Sequence, residues 1–355
     1  MDMIQARAAK CLLITGATGF IGSRLALYAK DLGIQVLATG RTDLDVEVDR
    51  EKELRTAGIV VENGSLQDAS LLQRLVADCD AVIHLAAAQH ESQMPESYFQ
   101  TVNVDVTRSL LQACRHAGIR RFVYGSTMGV YGDGGAASDR RLDEDSPTRP
   151  DNAYTRSKLH AETLVRAHAH NMQTCVIRIG ETYGPGDQRL LKLFRAIERG
   201  RFYMIGTGDN RRQCIHVNDL VRGLLLATRH PEAVGETFVF AGGEVLTTNQ
   251  MVQHIAGALD RTLPRIKLPM LPFIAAASVM ERILPPLHIQ PPLHQRRLDF
   301  FRRSFVFSID KARHLLDFQP EIDFRTGVQD TIRWYRLRGL LAAPRNDASA
   351  HIQSA

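Results

Sequence analysis

Apolar and polar residues alternate in blocks through the first half of the chain. The short apolar runs have the length of β-strands, and they lie at 11–15, 35–39, 59–62, 81–85, 121–124 and 174–179. Amphipathic segments between several of these runs predict helices over 21–29, 70–77, 104–117 and 157–170. Strands that alternate with helices in this way form a parallel sheet with both faces buried. The pattern therefore predicts an α/β fold with a doubly wound parallel sheet.

The pattern becomes less regular after Tyr183. Helices are predicted over 190–199 and 218–228, with Asn218 as the N-cap of the second, and a polar loop over 206–212 lies between them. The change in pattern divides the chain into a sheet domain (1–183 and 212–242), a smaller, mostly C-terminal cap (184–211 and 243–340) and a disordered tail (341–355).

Composition excludes several classes of protein. The chain has 355 residues, of which 44% are hydrophobic and 23% charged, and its formal charge of +5 is too small to indicate nucleic acid binding. Its five cysteines are widely spaced and form no C-x-x-C motif, which indicates free thiols in a reducing compartment and no metal site. No apolar stretch resembles a signal peptide or is long enough to span a bilayer. We therefore expect a soluble, cytoplasmic protein that holds no metal.

A glycine-rich loop follows the first predicted strand. Residues 15–23 read T-G-A-T-G-F-I-G-S, which places Gly16, Gly19 and Gly22 between the strand and the next helix. In such loops one glycine permits a tight turn, one lets the backbone approach a pyrophosphate, and one lets the helix pack on the strand. The helix N-terminus then offers N–H groups and its positive dipole end to the phosphates. In the first strand–helix turn of a doubly wound sheet, the loop predicts a dinucleotide site in preference to a purely structural turn.

Further motifs follow the glycine loop in a recognisable order. They are V-I-H-L-A-A (82–87), V-Y-G (130–132), Y-T-R-S-K (154–158), Y-G-P-G-D (183–187), H-V-N-D-L (216–220), K-A-R-H-L-L-D-F-Q-P (311–320) and W-Y (334–335). With the region around Asn103, they resemble the extended short-chain dehydrogenase/reductase family, also called the NAD-dependent epimerase/dehydratase family, over nearly the whole chain. The resemblance implies a Rossmann-type sheet, a substrate-binding cap and an NAD(P)-dependent enzyme.

The resemblance also implies which residues bind the cofactor. They are Gly16, Thr18, Gly19, Phe20, Ile21, Gly22, Arg41, Ser65, Leu66, Leu85, Ala86, Ala87, Tyr154 and Lys158. In NAD enzymes an acid at the end of the second strand binds the ribose 2′-hydroxyl, whereas an arginine nearby accommodates the 2′-phosphate of NADP. Family alignment puts Gly40 at the position of the acid, and Arg41 follows it, so NADP is favoured over NAD. Asp43 and Asp45 lie close by in the sequence and could bind the ribose instead, so NAD remains an alternative. Ser65 stands where the family has an aspartate on the adenine side of the cofactor.

The candidate catalytic residues are two helical neighbours and a strand end. Tyr154 and Lys158 are four residues apart, so they share one face of a helix. A phenol has a pKa of about 10, and a nearby ammonium favours its ionised form. The resemblance implies that Tyr154 is the general acid/base, that Lys158 tunes it and holds the nicotinamide ribose, and that Thr127 orients the substrate oxygen, with Ser126 as a second hydroxyl beside it.

Departures from the family pattern bear on the substrate. Family members that dehydrate sugar nucleotides carry an Asp-Glu pair where this chain has Met128 and Gly129, so dehydration is not expected. Glu181 stands where nucleotide-sugar epimerases have an asparagine, and a carboxylate is unfavourable near a pyrophosphate. That segment is closer to 3β-hydroxysteroid dehydrogenase-like and dihydroflavonol reductase-like members. Arg212, in contrast, stands where nucleotide-sugar enzymes bind phosphate, and it favours a nucleotide sugar.

The first functional hypothesis is therefore a nucleotide-sugar epimerase or a related sugar oxidoreductase that transfers a hydride reversibly on a secondary alcohol or ketone. The second is a hydroxysteroid- or flavonol-type ketoreductase, and the third is a cofactor-binding sensor without turnover. The apolar stretch 263–295 and the arginines after it could line a pocket for an apolar substrate, rest on an anionic membrane or form an ordinary cap helix. We expect a small-molecule substrate, no nucleic acid partner, no integral membrane segment and a homodimer.

Overall fold

A computed structural model describes residues 11–89, 94–132, 141–284 and 295–343. Seven parallel strands form the central sheet, in the spatial order β3-β2-β1-β4-β5-β6-β11. They are β1 (Cys11–Thr15), β2 (Gln35–Thr39), β3 (Val60–Val61), β4 (Ala81–His84), β5 (Arg121–Thr127), β6 (Gln173–Ile179) and β11 (Thr237–Phe240). The strand order reverses between β1 and β4, and ligands of doubly wound sheets bind at such a reversal. The predicted α/β fold with a Rossmann-type sheet is confirmed.

Helices cover both faces of this sheet. They are α1 (Phe20–Asp31), α2 (Asp45–Thr56), α3 (Ala69–Ala77), α4 (Glu96–Phe99), α5 (Val106–Ala117), α6 (Ala153–Ala167) and α8 (Val217–Arg229). A π-helical segment, Gln100–Asp105, joins α4 to α5. One buried cluster packs α1 and α8 against the sheet, and a second packs α3, α5 and α6 against the opposite face.

Side-chain caps correct the predicted starts of α6 and α8. α6 begins at Ala153 and not at 157, because the Asn152 side chain caps it by accepting a hydrogen bond from the Thr155 N–H at 3.1 Å. α8 begins at Val217, because the His216 side chain caps it by accepting a hydrogen bond from the Asn218 N–H at 3.3 Å. The first correction matters for the site, since it puts Tyr154 in the first turn of α6.

A second layer of small elements forms the cap. Its helices are α7 (Leu191–Glu198), α9 (Thr248–Ala258), α10 (Met270–Ile283), α11 (Gln295–Arg302) and α13 (Phe324–Leu337). Helix α12 (Asp310–Leu316) was predicted as part of the cap but packs against β11, and its Ala312 and Leu316 lie in the same buried cluster as α1 and α8. The short strands of the cap are β8 (Met204–Ile205), β9 (Arg211–Arg212), β12 (Leu246–Thr247) and β13 (Lys267–Leu268). β9 lies in the segment predicted as a polar loop. A third pair of two-residue strands, β7 (Thr182–Tyr183) and β10 (Ile215–His216), runs parallel at the boundary with the sheet domain.

The cap has an apolar core of its own, formed mainly by α7, α9 and α13. Leu341 is buried in this core, and the Ala342 N–H donates to Glu198 Oε1 at 3.0 Å. The predicted tail therefore starts too early, and its residues 344–355 lie outside the described residues. Within the described ranges, no helix combines the length and the hydropathy needed to cross a membrane.

Candidate functional site

The glycine loop packs so closely against its neighbours that side chains would not fit. Gly16 has φ +71°, and a Cβ there would lie 2.7 Å from the Ala86 amide nitrogen. A Cβ on Gly22 would lie 2.2 Å from the Gly16 carbonyl oxygen, so Gly22 lets α1 start directly against the loop. These contacts are the close packing that a dinucleotide fold requires of its first and last glycine.

The middle of the loop leaves room for a phosphate. A Cβ on Gly19 would have one atom within 4 Å, the Gly16 carbonyl oxygen at 3.0 Å, so Gly19 is less enclosed than Gly16 and Gly22. α1 follows with Gly19 as its N-cap and without a side-chain cap on its first N–H groups. Phe20 and Ile21 form the first turn and pack partly against the core. Uncapped N–H groups at an open helix N-terminus fit a pyrophosphate.

The end of β2 carries the predicted cofactor-selecting residues. A Cβ on Gly40 would lie 2.3 Å from Thr18 Oγ1, so the buried Thr18 excludes an acidic side chain at this position. The exposed Arg41 side chain donates to the Tyr98 hydroxyl at 3.3 Å, and its Nε lies 3.5 Å from Asp43 Oδ2. Arg41 is thus exposed to solvent at the end of β2. It is already in contact with Asp43, one of the two acids for which NAD remained an alternative cofactor.

The chain after β4 passes against the glycine loop, and the predicted cofactor-binding residues 85–87 lie in this segment. The Leu85 N–H donates to the Thr15 carbonyl at 3.2 Å, and the Ala86 N–H donates to Thr15 Oγ1 at 3.3 Å. Leu85, Ala86 and Ala87 are half-buried. His84 lies beneath them, with Nδ1 2.6 Å from Thr15 Oγ1, and its burial lowers its pKa to about 3. A neutral histidine therefore supports this segment.

Asn103 holds the same segment from the other side. Its Oδ1 accepts a hydrogen bond from the Ala88 N–H at 2.8 Å, and its Nδ2 donates to the Ala88 carbonyl at 3.1 Å. Nδ2 also lies 2.8 Å from Ser157 Oγ on α6. Asn103 thus links the cofactor side of the sheet edge to the helix of Tyr154 and Lys158. The sequence motifs included the region of Asn103 but did not reveal that its side chain makes these links. The π-helical turn that carries Asn103 has no 3.6-residue apolar period by which it could be predicted.

Lys158 is completely enclosed behind the end of β5. Its Nζ donates to the Gly125 carbonyl at 2.5 Å and lies 4.2 Å from the centre of the Tyr124 ring. Burial lowers the pKa of Lys158 to about 7, and the nearby Glu162 carboxylate partly opposes that effect. The side chain is therefore held in one position and titrates near neutrality.

Tyr154 and Thr127 lie on segments that pack against each other. Thr127 is the last residue of β5, and its Oγ1 accepts a hydrogen bond from the Gly129 N–H at 3.1 Å. A Cβ on Gly129 would lie 2.7 Å from the Thr155 methyl group, so the turn after Thr127 touches the first turn of α6. The Tyr154 carbonyl accepts from Ser157 Oγ at 2.8 Å, and its side chain is half-buried. The structure thus brings the two segments that carry the predicted acid/base and orienting hydroxyl together.

Ser126 points into a different environment from Thr127. Its Oγ donates to Glu162 Oε1 at 2.5 Å, and Glu162 is fully buried with Arg178, whose Nη2 lies 3.0 Å from Oε2. Successive residues of a strand face opposite sides of the sheet, which explains the separation. Ser126 is therefore a partner of a buried ion pair beneath the site.

Arg50 is a further residue of the site that the sequence did not reveal. Its Nη1 donates to the Thr18 carbonyl at 3.2 Å, and its Nη2 donates to the Gly186 carbonyl at 2.7 Å. Arg50 thus ties the glycine loop to the Y-G-P-G-D loop, and burial lowers its pKa. Its helix α2 was not predicted, because Leu54 is the single buried residue of α2 and no apolar face is visible in the sequence.

Glu181 and Arg212 are partners of one ion pair. Arg212 Nε donates to Glu181 Oε2 at 2.9 Å, and the Nη2 atom contacts the same oxygen. Burial alone would raise the pKa of Glu181, but the Arg212 and Arg189 guanidinium groups lower it. Arg212 also lies over the Phe300 ring, 4.6 Å from its centre, and donates to the Phe300 carbonyl at 3.1 Å. The two residues that favoured different substrates therefore neutralise each other.

Ser65 and Leu66 lie farther along the predicted adenine side. Ser65 is exposed, and its Oγ accepts a hydrogen bond from the Gln67 N–H at 3.3 Å. Leu66 is half-buried and packs against the apolar cluster under α3. No group of three or more histidine, cysteine or acidic side chains suited to a metal occurs among the residues that the structure describes.

Known proteins of similar sequence and structure include members of the family that the sequence motifs resemble. A sequence model of the NAD dependent epimerase/dehydratase family matches residues 12–241. The uncharacterized protein y4nL of Sinorhizobium fredii is 30% identical over 92% of this chain and 95% of its own length. The N-acetyl-alpha-D-glucosaminyl-diphospho-ditrans,octacis-undecaprenol 4-epimerase of Escherichia coli O157:H7 is 26% identical over 73% of this chain and 75% of its own length. The solved structure of MoeE5 in complex with UDP-glucose and NAD is 26% identical, with a TM-score of 0.72 over 93% of this chain and 99% of its own.

Proposed function

This chain belongs to the NAD dependent epimerase/dehydratase family, and from that premise we propose that it catalyses reversible NAD(P)-linked hydride transfer on a secondary alcohol or ketone of a sugar carried on a diphosphate. Tyr154 is the general acid/base, Lys158 tunes it, and Thr127 orients the reacting oxygen. Gly16, Gly19 and Gly22 receive the pyrophosphate of the cofactor at the start of α1. A bound nicotinamide supplies or accepts the hydride at its C4 position.

The environment of Lys158 carries this proposal. A surface lysine at the same spacing would be an ordinary helical neighbour of Tyr154, but Lys158 is buried, held by the Gly125 carbonyl and titrates near neutrality. Perturbed lysines enclosed in clefts of enzymes are candidates for functional groups. In its charged form Lys158 favours ionisation of the phenol four residues before it, and so makes the phenol a usable base.

Our proposal includes a preference for NADP over NAD. Gly40 removes the acid that would bind a 2′-hydroxyl, and Thr18 occupies the space that an acid would need. Arg41 is exposed at the end of β2 and offers a cation to a 2′-phosphate. NAD is the alternative, because MoeE5 was solved with NAD and because Arg41 has Asp43 as a neighbour.

A nucleotide sugar, or a sugar on another diphosphate carrier, is the substrate class that we favour. The 4-epimerase relative has a lipid diphosphate sugar in its name, and MoeE5 was solved with UDP-glucose. Two arginines, Arg212 and Arg189, lie near Glu181, although Arg189 also pairs with the buried Asp187 at 3.3 Å. Epimerisation is preferred over dehydration, because Met128 and Gly129 supply neither an acid nor a base.

One observation favours a ketoreductase as the second candidate. Glu181 engages Arg212 through two guanidinium nitrogens, so a diphosphate has to compete with a carboxylate for this arginine. An uncharged ketone or alcohol would not face that competition. The homodimer and the cytoplasmic location stay predictions.

The test begins with mass spectrometry of the small molecules that copurify with the full chain. The protein is then incubated with NADP or NAD, in oxidised or reduced form, and a panel of UDP- and dTDP-hexoses, steroid ketones and flavonoid ketones, and the products are separated by chromatography. We expect a retained or tightly bound nicotinamide dinucleotide and an epimerised sugar. A 4-keto-6-deoxy product would contradict epimerisation, and reduction of steroid or flavonoid ketones alone would favour the second candidate. Cofactor binding without turnover on any of these would favour the non-catalytic sensor.

A further inference from the structure

Helix α10 presents an apolar stripe to solvent. Leu271, Ala275, Val279 and Ile283 follow each other at intervals of four residues, so they lie on one face of the helix. All four are exposed, with exposed fractions of 79% for Leu271 and 56% for both Val279 and Ile283. Large apolar side chains that are exposed together, unlike scattered single ones, indicate an interaction surface.

The rest of the helix is anchored in the cap. Ala277 is fully buried, and α10 packs against α11. The strand just before it, β13, pairs with β8, and Lys267 Nζ donates to the Thr207 carbonyl at 2.6 Å. The exposed stripe is therefore one face of an ordered element whose other side belongs to the protein.

Basic residues lie at both ends of this helix. From residue 261 to residue 284 the chain has four basic residues and one acidic residue, a net charge of +3. Arg265, Lys267 and Arg282 are exposed, and the exposed Ile266 lies between the first two. An apolar face with a basic border is complementary to an anionic lipid surface.

We propose that the exposed face of α10 docks the protein onto an anionic lipid bilayer. At about 1.5 Å per residue, the 14 residues of α10 span roughly 21 Å, less than the ~30 Å of a hydrocarbon core. The helix therefore lies in the membrane plane, with the stripe toward the acyl chains and Arg265, Lys267 and Arg282 among the headgroups. This surface is independent of the hydride chemistry, so docking and turnover can hold or fail separately.

Vesicle co-sedimentation of the full chain tests the proposal. Sucrose-loaded vesicles of phosphatidylcholine alone are compared with vesicles that also contain phosphatidylglycerol. We expect the protein to sediment with the anionic vesicles and to be released by high salt. Replacing both Leu271 and Val279 with Asp should lower the partition coefficient at least tenfold, because it puts two charges into the stripe. Arg282→Ala should lower it by about fivefold, the contribution of one basic residue near an anionic surface.

Leu337→Asp is the matched control, because Leu337 is 80% exposed but lies on α13. It should bind vesicles like the wild type, and the thermal unfolding of all variants should be unchanged. Equal binding to neutral and anionic vesicles, or equal loss in the Leu337 control, would overturn the proposal. The absence of vesicle binding would also overturn the proposal. If sedimentation velocity then showed that the wild type self-associates and that the Leu271 and Val279 substitutions abolish this, the face would join two copies of the chain.

Discussion

Burial lowers the pKa of Lys158, and the lowered pKa makes the free energy of unfolding depend on pH. The pKa of Lys158 is about 7 in the folded protein, against an ordinary value near 10.4 in an unfolded chain. The unfolded state therefore binds more protons between these two pH values, and the free energy of unfolding rises with pH across that window. Folding has to bury the charge of this lysine or release its proton, and this cost decreases as the pH rises from about 7 toward about 10.4.

Lys158→Met should remove this pH dependence. Between pH 7 and 9, the free energy of unfolding of the wild type should increase relative to the variant, by at most about 1.4 kcal/mol per pH unit. Urea unfolding of both proteins at pH 7, 8 and 9 measures the difference. A constant difference over this range would mean that Lys158 keeps an ordinary pKa.

Thr127 should depend on its hydroxyl and little on its methyl group. Thr127→Ser keeps an oxygen that can accept from the Gly129 N–H and orient a substrate oxygen, so kcat should stay close to wild type. Thr127→Val preserves the shape and removes the hydroxyl, and a lost hydrogen bond that operates in the transition state should lower kcat by roughly 10²-fold. Steady-state kinetics on the sugar substrate compares the two, and equal activity of Val and wild type would exclude the orienting role.

Arg41 should determine the cofactor preference. Arg41→Ala removes the cation that faces a 2′-phosphate, so NADPH should lose most of its advantage while NADH binding changes little. Isothermal titration calorimetry of both cofactors with both proteins gives the two ratios. If the wild type binds NADPH and NADH equally well, the preference inferred from Gly40 and Arg41 is wrong.

Elements with a continuous or periodic apolar pattern were predictable from the sequence, and elements without such a pattern were not. The predicted bounds of β1 and β2 agree with the structure, because central parallel strands are nearly continuous apolar runs. α2 escaped prediction since almost all of its side chains are polar, and Arg50 escaped with it. The start of α6 depends on the Asn152 cap and on no hydrophobic period, so the sequence placed it four residues late.

The π-helical turn should position the cofactor side of the site without touching substrate. Asn103→Ala leaves the buried N–H and carbonyl of Ala88 without their partner, at about 1–3 kcal/mol for each group. Thermal unfolding should show that loss, and the Kd for the cofactor should rise because 85–87 lose their support. Asn171→Ala, at an exposed asparagine, is the control and should alter neither quantity. Unchanged stability of the Asn103 variant would contradict the role of this turn.

At the scale of the whole molecule, contacts between residues distant in the sequence determine the environment of the motif residues. Glu181 and Arg212 are 31 residues apart, and each alone indicated a different substrate. Their pairing places one neutralised group between the sheet domain and the cap, which no local pattern could reveal. Arg50 and Gly186 are 136 residues apart and join the glycine loop to the start of the cap in the same way. The family resemblance predicted the sheet and its loops, whereas these cross-links become visible only in the structure.

The central claim is that Tyr154 moves the proton while hydride passes between the substrate and a nicotinamide. Tyr154→Phe keeps the ring and removes the exchangeable proton, and it tests that claim most directly once the substrate is identified. Because general acid–base catalysis contributes about 10²–10⁴-fold, kcat of Tyr154→Phe should fall by that factor, while calorimetry should show that the variant still binds the cofactor. Turnover of Tyr154→Phe at the wild-type rate would contradict the account and move the acid/base to another group.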